Sequence, residues 1–353
     1  MGFKSSIRYL RVISALLKSN FFKRRSPVIA ILGVTNRCNL SCWYCYGEHP
    51  YRSRCCDFST GELLEIVRVM RQLGTQLLQL QGGEPLLRED LGIVIDEAHR
   101  FGMACDMVTN GTLVLKKTDI VRRLDRICIS LDGRPGLNDA NRGEGAYGRA
   151  LEGIEFACSR GLAVRLSAVL TDKTVVEDID WLIGLARSHK ITVNFSPPFY
   201  FCPQFSRDKI TPHLVPDAKL KILLRHIIYR KIEKAPIQFS LASYGLALNW
   251  PFTYGKCTAT RRELPAGVVY PKCYHGDRVV FIDSDGSVYP CCNFWGRARG
   301  NIHADGVKAA VENLGRDSCG ACYIPAYIDR NLILGLNFNA CRNYVKYIIR
   351  GQI

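Results

Sequence analysis

The sequence predicts an α/β fold, a partial (β/α)6 TIM-like barrel followed by a small C-terminal α+β domain. Three observations carry this. Short apolar runs alternate with helix-periodic segments six times between Val28 and Ser196, the pattern of parallel strands joined by crossover helices. That alternation also suits a doubly wound sheet, but polar or glycine-rich signatures fall at the carboxyl ends of successive strands, where barrels assemble their sites. Later in the chain, Asp285-Gly286 sits between two apolar runs and marks a hairpin outside the repeat. With 353 residues, 47% of them hydrophobic, the chain can bury one large core and a smaller one.

Residues 1–27 read as a basic amphipathic helix. Lys4, Arg8, Arg11, Lys18, Lys23, Arg24 and Arg25 alternate with Tyr9, Leu10, Val12, Ile13, Leu16, Leu17, Phe21 and Phe22, and no acid precedes Glu48. Such a helix lies on an anionic membrane surface or closes the bottom of a barrel, and a transit segment has a similar acid-poor composition. The barrel occupies 28–197. Its first strand is the apolar run 28–34; Ser59 and Glu62 then have capping-box spacing and open a helix to about Leu73. Strands follow at 76–81, 103–109, 126–131, 163–170 and 191–196, separated by helices near 91–101, 114–124, 147–160 and 175–188. Residues 198–256 form a connector or lid with one basic helix near 216–234. Its Phe199, Tyr200, Phe201 and Phe205 would suit a cavity wall, but aromatic-rich connectors are more often plain packing and no chemistry is assigned to them. The second domain spans 257–323, with strands at 279–283 and 287–289, and residues 324–353 read as a C-terminal helix.

The composition narrows the class. Sixteen cysteines would suit a secreted disulfide scaffold, yet the first apolar stretch lacks a small-residue cleavage site and runs into basic residues. Reduced thiols and a cytoplasmic location are therefore expected, with the basic helix allowing peripheral contact at the inner face of the membrane. No apolar run reaches the roughly 18 residues needed to cross a bilayer. The net charge of +16 favours acidic partners. No nucleic-acid-binding motif accompanies it, so nucleic acid is not expected.

The first chemical signal is Cys38, Cys42 and Cys45, just after the first strand. Three thiolates at this spacing can face one iron-sulfur cube and leave one iron without a protein ligand, whereas a zinc site or a structural cluster needs a fourth ligand. Spacing alone leaves structure and chemistry equally open. Gly82-Gly83-Glu84-Pro85, Thr109-Asn110-Gly111 and Ser130-Leu131-Asp132-Gly133 mark the ends of three further strands, and each alone could be a turn. A second set of thiols, Cys273, Cys291, Cys292, Cys319 and Cys322, lies in the later segment.

Together these residues resemble the radical S-adenosylmethionine (SAM) superfamily over about 29–196. Cys38, Cys42 and Cys45 match its CxxxCxxC loop, with the aromatic Tyr44 before the last cysteine, and Gly82-Gly83-Glu84-Pro85 looks like its GGEP element. The resemblance implies a 4Fe-4S cluster on the three cysteines and SAM chelated to the open iron, with Gly82, Gly83, Glu84, Pro85, Asn110, Ser130 and Asp132 around the cofactor. Glu84 would pair with the methionyl amino group, and the two glycines would let the backbone approach the ligand. The C-terminal segment is similar to the twitch and SPASM auxiliary-cluster domains through Cys273, Gly286, Cys291, Gly300-Asn301-Ile302, Cys319 and Cys322. That implies a second, auxiliary 4Fe-4S cluster on Cys273, Cys291, Cys319 and Cys322; the absence of the longer cysteine continuation favours the twitch form. Cys292 could replace Cys291, Cys257 and Cys341 could join a further cluster, and four thiolates would also suit a zinc ribbon. Cys55, Cys56, Cys105, Cys128, Cys158 and Cys202 read as buried small residues.

The resemblance implies an enzyme, oxidoreductase or transferase in type, that cleaves SAM reductively to a 5'-deoxyadenosyl radical and takes hydrogen from an unactivated C–H bond. Flavodoxin or ferredoxin is the implied reductant. The short basic extension points toward a lipid or other membrane-associated small molecule. Maturation of a ribosomally made peptide and oxidation of a sugar-like alcohol are the alternatives. A non-enzymatic electron-transfer protein would leave Gly82 to Pro85 without a task. No catalytic acid, base or radical-quenching residue is identified.

Overall fold

Six parallel strands run in sequence order around the barrel wall: β1 (Ile29–Gly33), β2 (Leu77–Gln81), β3 (Ala104–Thr109), β4 (Arg126–Ser130), β5 (Ala163–Val169) and β6 (Thr192–Ser196). The computed structural model describes residues 3–21, 26–45, 57–198, 215–294, 297–314 and 319–349, so Cys55, Cys56, Cys202 and the aromatic group Phe199, Tyr200, Phe201 and Phe205 lie outside the described residues. The helices before and between the strands are α1 (Phe3–Phe21), α2 (Thr60–Gln72), α3 (Leu91–Arg100), α4 (Thr118–Val121), α5 (Pro135–Arg142), α6 (Ala146–Ser159) and α7 (Val176–Ser188). The expected Ser59–Glu62 capping box opens α2.

The strand register sorts side chains by parity. Ala30, Leu32, Leu78, Leu80, Cys105, Met107, Ile127, Ile129, Leu166, Ala168, Val193 and Phe195 share one face and are buried in the hydrophobic core. The opposite face carries Gln79, Gln81, Asp106, Arg126, Ser130, Arg165, Ser167, Asn194 and Ser196. The wall is therefore apolar beneath its helices and polar toward the lumen.

Helix α1 packs across the barrel floor. Tyr9, Val12 and Leu16 are buried, the Tyr9 hydroxyl donates to Asp106, and Arg8 Nε donates to the Asp125 carboxylate at 3.0 Å. Asn20 Nδ2 reaches the Leu334 carbonyl at 2.9 Å. The outer face of the helix keeps Leu10 63% and Phe21 83% exposed.

Elsewhere the elements depart from expectation in instructive ways. The helix expected at 114–124 is a short 3-10 turn, Val114–Lys116, and the single turn α4, because Lys117 leaves helical geometry at φ −127°, ψ 37°. Helix α5 has no apolar periodicity to announce it; Pro135 in its first turn starts it instead. The connector holds the expected basic helix, at Asp217–Ile232, and a second at Leu241–Leu248. The C-terminal segment is two helices, Pro325–Leu334 and Phe338–Ile349.

The hairpin around Asp285-Gly286 forms as β8 (Val279–Ile282) and β9 (Ser287–Tyr289), but it is not set apart from the barrel. Strand β8 pairs in parallel with β1, and β9 pairs with β10 (Gly300–Asn301), which makes one nine-stranded sheet. Strands β7 (Thr258–Thr260) and β11 (Cys319–Cys322) make a separate antiparallel pair. No helix among the described residues is long and apolar enough to cross a membrane.

Candidate active site

The cysteine loop follows β1 and is gripped by the turns after three neighbouring strands. After β2, Gly83 N–H donates to the Thr35 carbonyl at 2.7 Å and Glu84 N–H to the Arg37 carbonyl at 2.8 Å. After β3, Asn110 Nδ2 donates to Asn39 Oδ1 at 2.9 Å and lies 3.9 Å from Cys38 Sγ. After β4, Asp132 accepts from the Tyr44 hydroxyl, and Trp43 Nε1 donates to Asn141 Oδ1 at 3.0 Å. Asp57 completes the grip, taking Thr35 Oγ1 at 2.7 Å and Arg37 Nε at 3.1 Å. The strand ends singled out in the sequence thus converge on Cys38, Cys42 and Cys45.

Several of these residues are occupied by the scaffold itself. A Cβ on Gly82 would stand 2.3 Å from the Thr35 carbonyl oxygen, and one on Gly83 2.1 Å from that of Arg37, so both glycines admit the cysteine loop. Glu84 is fully buried and accepts from Leu86 N–H, Thr109 Oγ1 and Asn110 N–H. Burial raises its pKa against those three bonds, and of about four carboxylate acceptor positions one is left. Asp132 takes Arg142 in a bidentate pair, at 2.9 and 2.7 Å, as well as Val169 N–H at 3.0 Å. Ser130 faces the lumen, half-buried.

Burial pushes the Cys42 thiol up to about 12, opposed by the Arg142 guanidinium, and raises Cys38 as well. Iron needs the thiolates, so these protons must leave as metal binds.

The second thiol set lines a cavity of about 210 Å³ with Cys273, Cys291, Cys319 and Cys322 on its wall, beside His275 and Tyr327. In a measure where one water needs about 10–15 Å³, that space exceeds what a single ion requires. Burial raises the Cys291 and Cys322 thiols well above their ordinary value. Burial, then the Arg330 guanidinium, pushes His275 down to about 3. Cys292, Cys257 and Cys341 are not on the cavity wall. Among the described residues no group of three or more His, Cys, Asp or Glu side chains could hold one metal ion. Thiolates around a cube each meet a different iron and need no common centre.

Residues 32–185 match the family model described as Radical SAM superfamily. The chain carries a radical SAM domain. That domain contains the cysteine loop and all three strand-end turns that grip it. Similar proteins include a probable GTP 3',8-cyclase of Methanopyrus kandleri, 36% identical over 167 residues, which are 44% of this chain and 53% of that protein. The Fe-coproporphyrin III synthase of Methanosarcina barkeri is 33% identical over 176 residues, 48% of this chain and 43% of that one. The chain thus spans about half the length of the curated relatives it matches. Among solved structures, Streptococcus suis SuiB aligns over 89% of this chain and 75% of its own with a TM-score of 0.62 at 17% identity. Native anSMEcpe with bound AdoMet aligns over 82% and 80% with a TM-score of 0.55 at 18% identity. At such identities these two speak to the fold alone.

A radical SAM domain works with a 4Fe-4S cluster and SAM. The donor set fits: three thiols on one loop tied down on several sides would leave one corner of a cube without a protein ligand. The polar lumen residues Gln79, Arg165, Asn194 and Gln238, and Arg330 reaching in from helix Pro325–Leu334, had no part in the sequence reading. Polar residues at every second position of otherwise apolar strands were the available signal.

Proposed function

We propose that the chain is a radical SAM enzyme that takes a hydrogen atom from an unactivated C–H bond of a polar substrate held in the barrel lumen. The observation that carries this reading is the grip of the three strand-end turns on the cysteine loop. Cys38, Cys42 and Cys45 would hold the 4Fe-4S cluster, with Gly82, Gly83, Glu84, Pro85, Asn110, Ser130 and Asp132 around SAM. When bound, the two groups supply reductive cleavage to a 5'-deoxyadenosyl radical, with flavodoxin or ferredoxin as electron donor. The chain's own residues position and enclose. Asp132, through Tyr44, fixes the loop over the lumen, and the fully buried Glu84 ties the turns after β2 and β3 together. Cys273, Cys291, Cys319 and Cys322 would hold an auxiliary cluster.

The lumen lining supports a peptide side chain or a sugar-like alcohol over an acyl chain, because the Arg330 Nη1 donor has no hydrogen-bond partner among the described residues and burying such a donor against hydrocarbon costs roughly 1–3 kcal/mol. A second reading, contact with an anionic bilayer, is supported by Leu10 and Phe21 on the outer face of α1, with Lys4, Arg11 and Lys18 beside them.

The test is anaerobic reconstitution of the full chain with dithionite and SAM. We expect 5'-deoxyadenosine to form and to vanish in Cys42→Ala. Roughly eight irons per chain should fall to roughly four when Cys38, Cys42 and Cys45 are all alanine. Full iron in that triple variant, or a fully loaded wild type that never cleaves SAM, would sink the reading.

A further inference from the structure

The lumen holds more positive charge than it neutralises. Its wall presents Asp106, Arg126 and Arg165, and Arg330 enters from helix Pro325–Leu334. Asp106 is already committed: it accepts Arg126 Nε at 2.9 Å and the Tyr9 hydroxyl, while the Arg126 guanidinium lies 5.4 Å over the Tyr9 ring.

Arg165 and Arg330 have only neutral partners. Arg165 donates Nε to Cys128 Sγ at 3.4 Å and Nη1 to Gln238 Oε1 at 3.3 Å. Arg330 donates Nη2 to Gln79 Oε1 at 3.4 Å, and its buried Nη1 meets no hydrogen-bond partner among the described residues. Burial, with Arg165 and Arg126 nearby, lowers the Arg330 pKa despite the opposing influence of Tyr327 and Cys292. Arg330 Nη1 is shut off from solvent and Arg165 is half-buried; with no counter-charge beside them, a bidentate oxyanion is the partner their planar forks fit best.

Position also matters. Arg165 pairs in register with Cys128, and Ser167 with Ser130, so Arg165 lies one pleat nearer the barrel floor than Ser130. Two residues of strand span about 6–7 Å.

We propose that Arg165 and Arg330 form a lumen subsite for an anionic group of the substrate, a carboxylate or a phosphoryl group. This rests on the lumen being the substrate chamber. Gripped there, the substrate would present its reacting C–H upward, toward the strand ends that carry the cysteine loop.

Calorimetric titration of the iron-reconstituted full chain with sodium phosphate, and separately with sodium acetate, reads the subsite without turnover; chloride holds the ionic strength constant. We expect saturable binding of one probe, weakened about tenfold in Arg165→Gln and in Arg330→Gln, the loss of one charge-assisted hydrogen bond. Preference for phosphate assigns a phosphoryl group, and preference for acetate a carboxylate. Arg330→Lys, which keeps the charge but loses the fork, replaces a glutamine variant that does not fold and carries the same tenfold criterion. Arg165 touches none of the cysteines of the second cavity, so its variant separates this site from any effect on that cavity. Neither probe binding above the chloride baseline, or binding unchanged in both positions' variants, overturns the proposal. Because the titration needs no reductant and no SAM, its failure is distinct from a failure to form 5'-deoxyadenosine.

Discussion

A methyl group on Gly83 would stand 2.1 Å from the Arg37 carbonyl oxygen, in backbone that has no room to yield. Gly83→Ala should therefore push the cysteine loop off its seat, and reconstituted iron should fall by roughly four per chain with the far-ultraviolet circular dichroism unchanged. Full iron loading would refute this. Gly184→Ala in α7, where a Cβ meets nothing within 4 Å, is the contrast: it should add about 0.5–1 kcal/mol of stability, read as a higher denaturation midpoint. At this scale the sequence marked polar and glycine residues at strand ends but not the bonds they make. Glu84 and Asp132 were legible as polar groups at strand ends, yet most of their hydrogen-bonding capacity goes to neighbours distant in sequence, which no local pattern discloses.

Helix α1 is held to the barrel by a buried carboxylate. Burial alone would raise the Asp125 pKa, but His99, Arg8 and the Cys105 N–H together hold it down to about 2. Because the folded value lies below the ordinary one, Asp125 stabilises the fold above about pH 4, and that contribution, about 2 kcal/mol, fades as pH falls toward 2. Urea unfolding from pH 5 down to pH 2 should show this slope in the wild type and a shallower one in Asp125→Asn; parallel slopes would show that Asp125 is not coupled to folding. The amphipathic stripe made this helix legible in sequence, and its buried Tyr9, Val12 and Leu16 belong to that stripe. Which partner the stripe covers was not, because floor packing and lipid contact ask for the same apolar periodicity. Helix α5 was invisible for the opposite reason: Asn138, Asn141 and Arg142 are buried to serve Asp132 and Trp43, so its inner face is polar.

Across the whole molecule, two helices meet at the floor. Helix Phe338–Ile349 lies there with α1, since Arg126 stacks on Tyr9 and lies 3.5 Å from the Tyr344 hydroxyl. Both helices leave large apolar residues exposed, Leu10 and Phe21 on one and Phe338 and Val345 on the other. Bilayer contact would thus turn the floor toward lipid and the cysteine loop away from it. Co-sedimentation with phosphatidylserine vesicles should occur at low salt and weaken with added salt and in Leu10→Glu/Phe21→Glu; no binding at low salt would refute it. The barrel repeat was legible because each strand and helix carries its own period. The extension of the sheet beyond β1 was not, since the partner of β1 on its second edge is β8, from the far part of the chain. On a ribosome that adds about 5–20 residues per second, Ile29 is made on the order of ten to fifty seconds before Val279 can reach it. Through that interval one edge of the first strand has no native partner. The sheet is therefore completed only after most of the chain has emerged, and a nascent chain stalled before Val279 carries an open strand edge beside its cysteine loop.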